Sequence, residues 1–385
     1  MVTLPAHLVA TPVLERLTGE LEGAVLGAGD TAVWIDLDGF VVVITTREVP
    51  LLPNAIALSA GSGALVGAAA GWRGTARLGP GRVALGSLQV TWSPTTPPSW
   101  DPTVPVPTDA SHAAVAARGA ALLHALGSGP TPVVEGSQGG VDNLGPPLPG
   151  SATLPVRGPA DPEGEGRKAA RRPADPEGEG RKAAWGLKAA RGLKAARGPQ
   201  HPAGADPAAL VRELARIGIA TAADPEGAAG LTLLLRAVRE RDPAPAAAAV
   251  RDLLGRGPGL TPEGDDLLAG VVGTLAVLGP ATGLTETNPS TPPRKVLPDG
   301  PVLDAMLEAL TPVPGRTTAL SATLLNLAMD RRLPEPAGRL LNLSEIGEAA
   351  WPAALARLER LGHGSGRAYA AGIAATATLL AVPDG

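Results

Sequence analysis

The residues best able to do chemistry gather in Gly257-Pro258-Gly259-Leu260-Thr261-Pro262-Glu263-Gly264-Asp265-Asp266, where a Gly/Pro turn runs into three carboxylates. Leu267 to Leu278 follow with almost no polarity. Thr261 reads as an N-cap and Pro262 as the first helical residue, with the acids in the first turn. A helix that apolar is expected to be buried on all sides. Its backbone N–H groups favour an anion, and Gly259 and Gly264 allow a ligand to approach the backbone closely. Glu263 or Asp265, together with Asp266, has the oxygen chemistry to hold a Mg²⁺-like ion. Adjacent helical residues diverge by about 100°, so along the helix axis Asp265 and Asp266 cannot both face one point, but near a helix start the geometry loosens. The plainer alternative is that the acids only stabilise the helix macrodipole, by about 0.3–1 kcal/mol each.

Two further helix starts carry polar groups. Leu361-Gly362-His363-Gly364-Ser365-Gly366-Arg367 offers Ser365 as an N-cap and His363 as an acid/base or orienting group; the alternative is a tight interhelical turn. Arg316-Thr317-Thr318 offers a planar guanidinium for an anionic group, and hydroxyls that can cap. The expectation is that Asp265, Asp266, Arg316 and His363 share one pocket. Asp265 and Asp266 would bind a metal or a substrate amide, Arg316 an anionic group, and His363 would transfer or orient a proton. Gly259, Thr261, Gly264, Thr317 and Ser365 complete the substrate-binding set. Buried carboxylates are costly unless paired, so Arg316 or a divalent ion is their expected partner.

Absences narrow the chemistry. There is no Cys, so neither a thiolate nucleophile nor a thiolate-bound metal is expected. Four of the five Lys (Lys168, Lys182, Lys188, Lys194) lie in one repetitive stretch and the fifth is Lys295 in a Pro-rich loop. A Schiff-base lysine, and with it PLP, is therefore not expected. The net charge of −4 gives no field for nucleic acid or an anionic membrane. No apolar run reaches the roughly 18 residues of a membrane span, and the first Arg or Lys is Arg16. A cytoplasmic protein is expected.

These residues need elements to position them. Residues 22–95 read as β-rich, with Asp38-Gly39 between two strands as a type I′ hairpin signal. Other short strands are expected at Ala55–Ser59, Arg82–Gly86 and Leu88–Trp92, building a small barrel or sandwich. Asp109 is expected to cap a helix running to about Leu126. In 128–203 an Ala-Asp-Pro-Glu-Gly-Glu-Gly-Arg-Lys unit recurs with a fourteen-residue period, which reads as a disordered insertion. Helices are expected at 206–217, 229–240, 243–255, 261–278, 301–310, 316–331, 344–361 and 365–382. The fold class is α+β, with a β-rich module over 1–127, the insertion over 128–203 and a helical module over 204–385.

GPGLTPEGDDLLAG (257–270), RTTALSATLLNLA (316–328) and GHGSG (362–366) resemble, in order and spacing, the bacterial oxamate carbamoyltransferase AllH-type subunit family, some of whose members are described as carboxylases. The resemblance covers 205–385 well and the β-rich start loosely. The family has Ser where Glu263 stands and Thr where Gly364 stands. The resemblance implies a transferase subunit of purine or allantoin catabolism. It would work with companion subunits in carbamoyl transfer between ureido acids and phosphate, on small anions and with no covalent cofactor. A non-catalytic subunit whose loops only build an interface is the alternative.

Overall fold

The structure, a computed structural model, describes residues 2–66, 74–107, 110–128, 206–280, 300–310, 315–342, 350–362 and 364–380. The N-terminal part comprises β1 (Val2–Ala10), α1 (Thr11–Arg16), β2 (Leu21–Ala28), β3 (Ala32–Leu37), β4 (Phe40–Thr45), β5 (Ala55–Leu58), α2 (Gly63–Val66), β6 (Thr75–Gly79), β7 (Arg82–Leu85), β8 (Leu88–Thr91) and β9 (Ser99–Trp100). The strands run in the order β5-β4-β3-β2-β6-β7-β8-β1, and β1 pairs again with β5, which closes an eight-stranded barrel; the short β9 pairs in parallel with the end of β1. The Asp38-Gly39 turn has φ of 49° and 87°, as a type I′ hairpin requires at both central residues. Alternation along β4 sends Phe40, Val42 and Ile44 into the barrel core. Val41 and Val43 point the other way, toward the helices. The β region expected from residue 22 onward omits β1, whose first residues are largely exposed or half-buried and include Pro5.

Helices make up the rest: α3 (His112–Gly127), α4 (Pro207–Arg216), α5 (Ala220–Ala223), α6 (Pro225–Glu240), α7 (Pro243–Leu253), α8 (Glu263–Leu278), α9 (Pro301–Leu310), α10 (Ala319–Met329), α11 (Glu335–Leu341), α12 (Trp351–Leu358) and α13 (Ser365–Leu379). Asp206, Asp224 and Asp242 each precede a proline and accept a backbone N–H from the first turn of α4, α6 and α7. That pairing is strong, since the carboxylate satisfies an orphan donor and Pro presets φ. It also starts α6 at Pro225 rather than at 229. Ser111, not Asp109, caps α3, its hydroxyl accepting from Ala114 N–H at 3.1 Å; Asp109 itself lies outside the described residues. α11 has no counterpart among the expected helices. Of the expected 344–361 helix, residues 351–358 are helical, and 343–349 lie outside the described residues, as does the insertion expected over 128–203 apart from Ser128.

α8 is the centre of the helical layer, with every residue from Gly264 to Leu278 buried. It packs most closely on α13, where Gly270 meets Gly372. A Cβ on Gly270 would stand 2.2 Å from the Tyr369 carbonyl oxygen, and one on Gly372 2.3 Å from that of Leu267. Only two glycines allow these backbones to touch.

Barrel and helices belong to one compact unit. Val104 N–H donates to Arg331 O at 2.9 Å and Leu333 N–H to Pro102 O at 3.1 Å. Arg332 forks onto both Glu15 oxygens at 2.8 Å, and Val41 N–H donates to the Thr323 hydroxyl at 2.9 Å. No helix among the described residues is long and apolar enough to cross a membrane.

Candidate functional site

The 254–262 loop leaves α7 and enters α8 with φ of 76°, 109° and 102° at Gly255, Gly257 and Gly259. At Gly255 a side chain is also excluded by contact, because a Cβ would lie 1.9 Å from Arg316 O. The loop is tied to several helix starts. Arg256 pairs with Asp224 at 2.6 Å and Glu226 at 3.1 Å, at the start of α6. Leu260 O accepts the Thr318 hydroxyl at 2.5 Å, at the start of α10. Thr261 and Ser365 share a hydroxyl–hydroxyl hydrogen bond of 2.8 Å, which joins the loop to the start of α13. Leu260 also packs beside Trp34, Val41 and Val43 of the barrel and Leu320 of α10. The barrel's outer face therefore holds the loop.

Two caps differ from those expected. Pro262, with extended ψ, is the N-cap of α8, and Thr261 makes no cap bond there because its hydroxyl is engaged with Ser365. Gly364 is the N-cap of α13 and Ser365 its first residue. Thr318 does cap α10, accepting from Ser321 N–H at 3.1 Å.

The two aspartates diverge as successive helical residues must. Asp265, 1 % exposed, faces α10. Its Oδ1 accepts Gly255 N–H at 2.6 Å and its Oδ2 accepts the Thr317 hydroxyl. Burial pushes its carboxyl up, while the bonds from Thr317 and Gly255 pull it back in part. Asp266, 6 % exposed, faces α13. Burial drives its carboxyl well above the usual range. Hydrogen bonding from Ser365 and Thr261 opposes this, and the charges of Asp265 and Glu263 add to it. Its Oδ2 has no hydrogen-bond partner among the described residues, nor does the buried Tyr369 hydroxyl. Burial and the nearby Asp266 charge push Tyr369 up as well.

The expected partner of the carboxylates is not Arg316. That residue is exposed and forms no ion pair among the described residues, because the 315–318 turn presents its backbone, not its side chain, to the loop. Thr317 and Gly255 N–H take its place at Asp265. Among the described residues no group of three or more His, Cys, Asp or Glu is arranged to hold a metal ion, and both Asp265 oxygens are already engaged. Glu263 reaches away from the loop, accepting Ala220 N–H at 3.2 Å and Thr221 N–H at 2.5 Å. Gly264 is required by packing, since a Cβ there would stand 2.2 Å from Leu253 O, whereas Gly259 has open space around it. His363 lies outside the described residues.

Sequence reasoning missed three structural contributors. Leu260 anchors the loop to the barrel. Tyr369 lies beneath Asp266. Arg367 clasps Ile217 O at 2.8 Å, Leu126 O at 2.5 Å and Glu359 at 2.8 Å. The composition of the 362–367 motif pointed at Arg367; nothing local pointed at the other two. A separate groove of about 520 Å³, lined by Val211, Arg212, Ala229, Leu233 and Arg236 among others, includes none of the candidate residues.

Residues 253–377 match the family described as oxamate carbamoyltransferase subunit AllH. That stretch runs from the end of α7 through most of α13 and includes every candidate residue, so it supports the resemblance read from the three motifs. No curated protein and no solved structure matches the chain.

Proposed function

We propose that this chain is a cytoplasmic subunit of a carbamoyl-transferring complex of the oxamate carbamoyltransferase type. In this reading the cluster of helix starts binds a small anion: a ureido acid, carbamoyl phosphate or phosphate. The observation that carries it is the meeting of the α8, α10 and α13 starts around one loop; Arg316, two residues before the α10 cap, is exposed and has no ion pair among the described residues. Arg316 takes the anionic group, the Ser365 and Thr261 hydroxyls and the α13 start take its polar end, and His363 orients or protonates it. Asp265 holds the loop in shape.

One observation favours a second reading, a non-catalytic subunit whose loops only build an interface. The first N–H groups of α8 already have partners, Gly264 N–H donating to Arg256 O and Asp265 N–H to Pro262 O, both at 2.9 Å. Calorimetric titration of the full chain with phosphate, carbamoyl phosphate and oxamate, with and without Mg²⁺, separates the two. The anion site requires binding that weakens about tenfold in Arg316→Ala, the loss of one charge-assisted contact. No binding by the full chain, with activity in the reconstituted complex that survives both Arg316→Ala and Asp265→Ala, supports the interface reading instead.

A further inference from the structure

α6 carries no charged residue between Glu226 and Arg236, although its outer face is open to solvent. Pro225, Ala228, Ala229, Thr232, Leu233 and Arg236 recur at the spacing of one helix face, and all are exposed or half-buried. The opposite face, with Leu231, Leu234, Leu235 and Val238, lies in the core. With Val211 of α4, the outer face lines the groove of about 520 Å³. Its one hydroxyl is already satisfied, Thr232 donating to Ala228 O at 2.7 Å. A surface helix ordinarily turns charged and polar groups to water, so an open apolar groove along one marks a contact surface. Charge stands only at the two ends of this face. Glu226 is 83 % exposed at the start of α6 and holds Arg256 by one oxygen at 3.1 Å. Arg236 is exposed at the far end and has no ion pair among the described residues. Arg212, on the α4 wall, pairs with Asp206 at 3.7 Å.

We propose that a second copy of this chain docks on this face, its α6 lying antiparallel to the first about a two-fold axis between Gly230 and Leu231. That axis sets Pro225 opposite Arg236, Ala228 opposite Leu233 and Ala229 opposite Thr232, each contact made twice as an isologous interface requires. Leu233 of one copy then meets Ala228 of the other, a large side chain against a small one. Glu226 of each copy comes beside Arg236 of the other, so acid meets base at both ends. A parallel pairing would set acid on acid and base on base. The antiparallel one also brings the positive end of each helix dipole to the negative end of the other. The order of charge along α6 is thus complementary to itself, which singles out a second copy as the occupant. From Pro225 to Arg236 the face is about 17 Å long at 1.5 Å per residue. That is short for a lasting interface, so the dimer should dissociate in the micromolar range. Nothing in this contact depends on the anion site.

The test is sedimentation velocity of the full chain, from micromolar to several hundred micromolar, with the Leu233→Glu, Arg236→Glu and Glu226→Arg variants. Circular dichroism checks that each variant folds. The unmodified chain should pass from monomer to dimer across that range. Leu233→Glu places a charge at the centre of the face and should weaken association about tenfold or more. Arg236→Glu sets acid on acid at both ends, and Glu226→Arg sets base on base, so each alone should weaken it about fivefold. An equal mixture of those two variants should associate to within about twofold of the unmodified chain, because each end of the mixed dimer again joins opposite charges. A chain that stays monomeric throughout leaves the face to another protein or to none and overturns the proposal. A dimer that Leu233→Glu leaves intact is built on a different face and overturns it too. Loss in the two charge variants without recovery on mixing overturns the antiparallel pairing.

Discussion

Replacing Asp265 by Ala should destabilise the protein more than it alters any surface property. The side chain is 1 % exposed and accepts Gly255 N–H and the Thr317 hydroxyl, one on each oxygen. Hydrogen bonds to a charged group contribute about 1.5–3 kcal/mol each. Against them stands the burial of the carboxylate, visible in the raised pKa and favourable to its removal. A net loss of about 2–4 kcal/mol follows, or a fall in Tm of about 5–10 °C for a domain of this size. Asp265→Asn keeps an acceptor for Gly255 N–H, and Thr317 can rotate to accept from the new amide. Its loss should be about 1 kcal/mol. Urea denaturation at pH 7 with both variants is the assay. A loss below about 0.5 kcal/mol in Asp265→Ala, the range of ordinary surface changes, would show that the carboxylate does not hold the loop. If Asn is as damaging as Ala, the charge itself is needed, and the structural argument gives way to a metal or substrate role.

Three further outcomes follow from the same geometry. The pKa of Asp266 is raised in the fold, so its favourable contribution is complete below the unfolded carboxyl value near 4 and is lost as pH rises through the folded value. Tm measured from pH 4 to 9 should therefore decline less on the alkaline side in Asp266→Leu than in the unmodified chain; identical slopes refute the assignment. Gly270→Ala places a Cβ 2.2 Å from Tyr369 O and should cost about 3 kcal/mol or more by forcing α8 and α13 apart, whereas a loss under about 1 kcal/mol in denaturant melts would mean the helices do not touch there. Leu260→Ala should cost about 1–2 kcal/mol for a half-buried side chain and speed amide exchange selectively over 257–262; unchanged exchange there would remove the barrel as the loop's anchor.

Composition and local pattern were enough for the coarse fold. The Asp38-Gly39 hairpin and the apolar run behind Asp266 are written in neighbouring residues, because turn φ and helical periodicity are local properties. The grouping of the 257–266, 316–318 and 362–366 motifs as chemically interesting was also legible, since each pairs glycine or hydroxyl residues with a helix start. Their meeting was not. That Thr317 bonds Asp265, that Ser365 bonds Thr261 across more than a hundred residues, and that Glu263 turns away to Ala220 and Thr221 depends on which helices pack side by side. That packing is set in turn by the Gly270–Gly372 approach and by a barrel face that receives Leu260. Sequence alone paired the aspartates with Arg316 or a divalent ion by charge. The tertiary structure gave Asp265 to an N–H and a hydroxyl instead, because inside the fold proximity and geometry, rather than net charge, decide which donor reaches a buried oxygen.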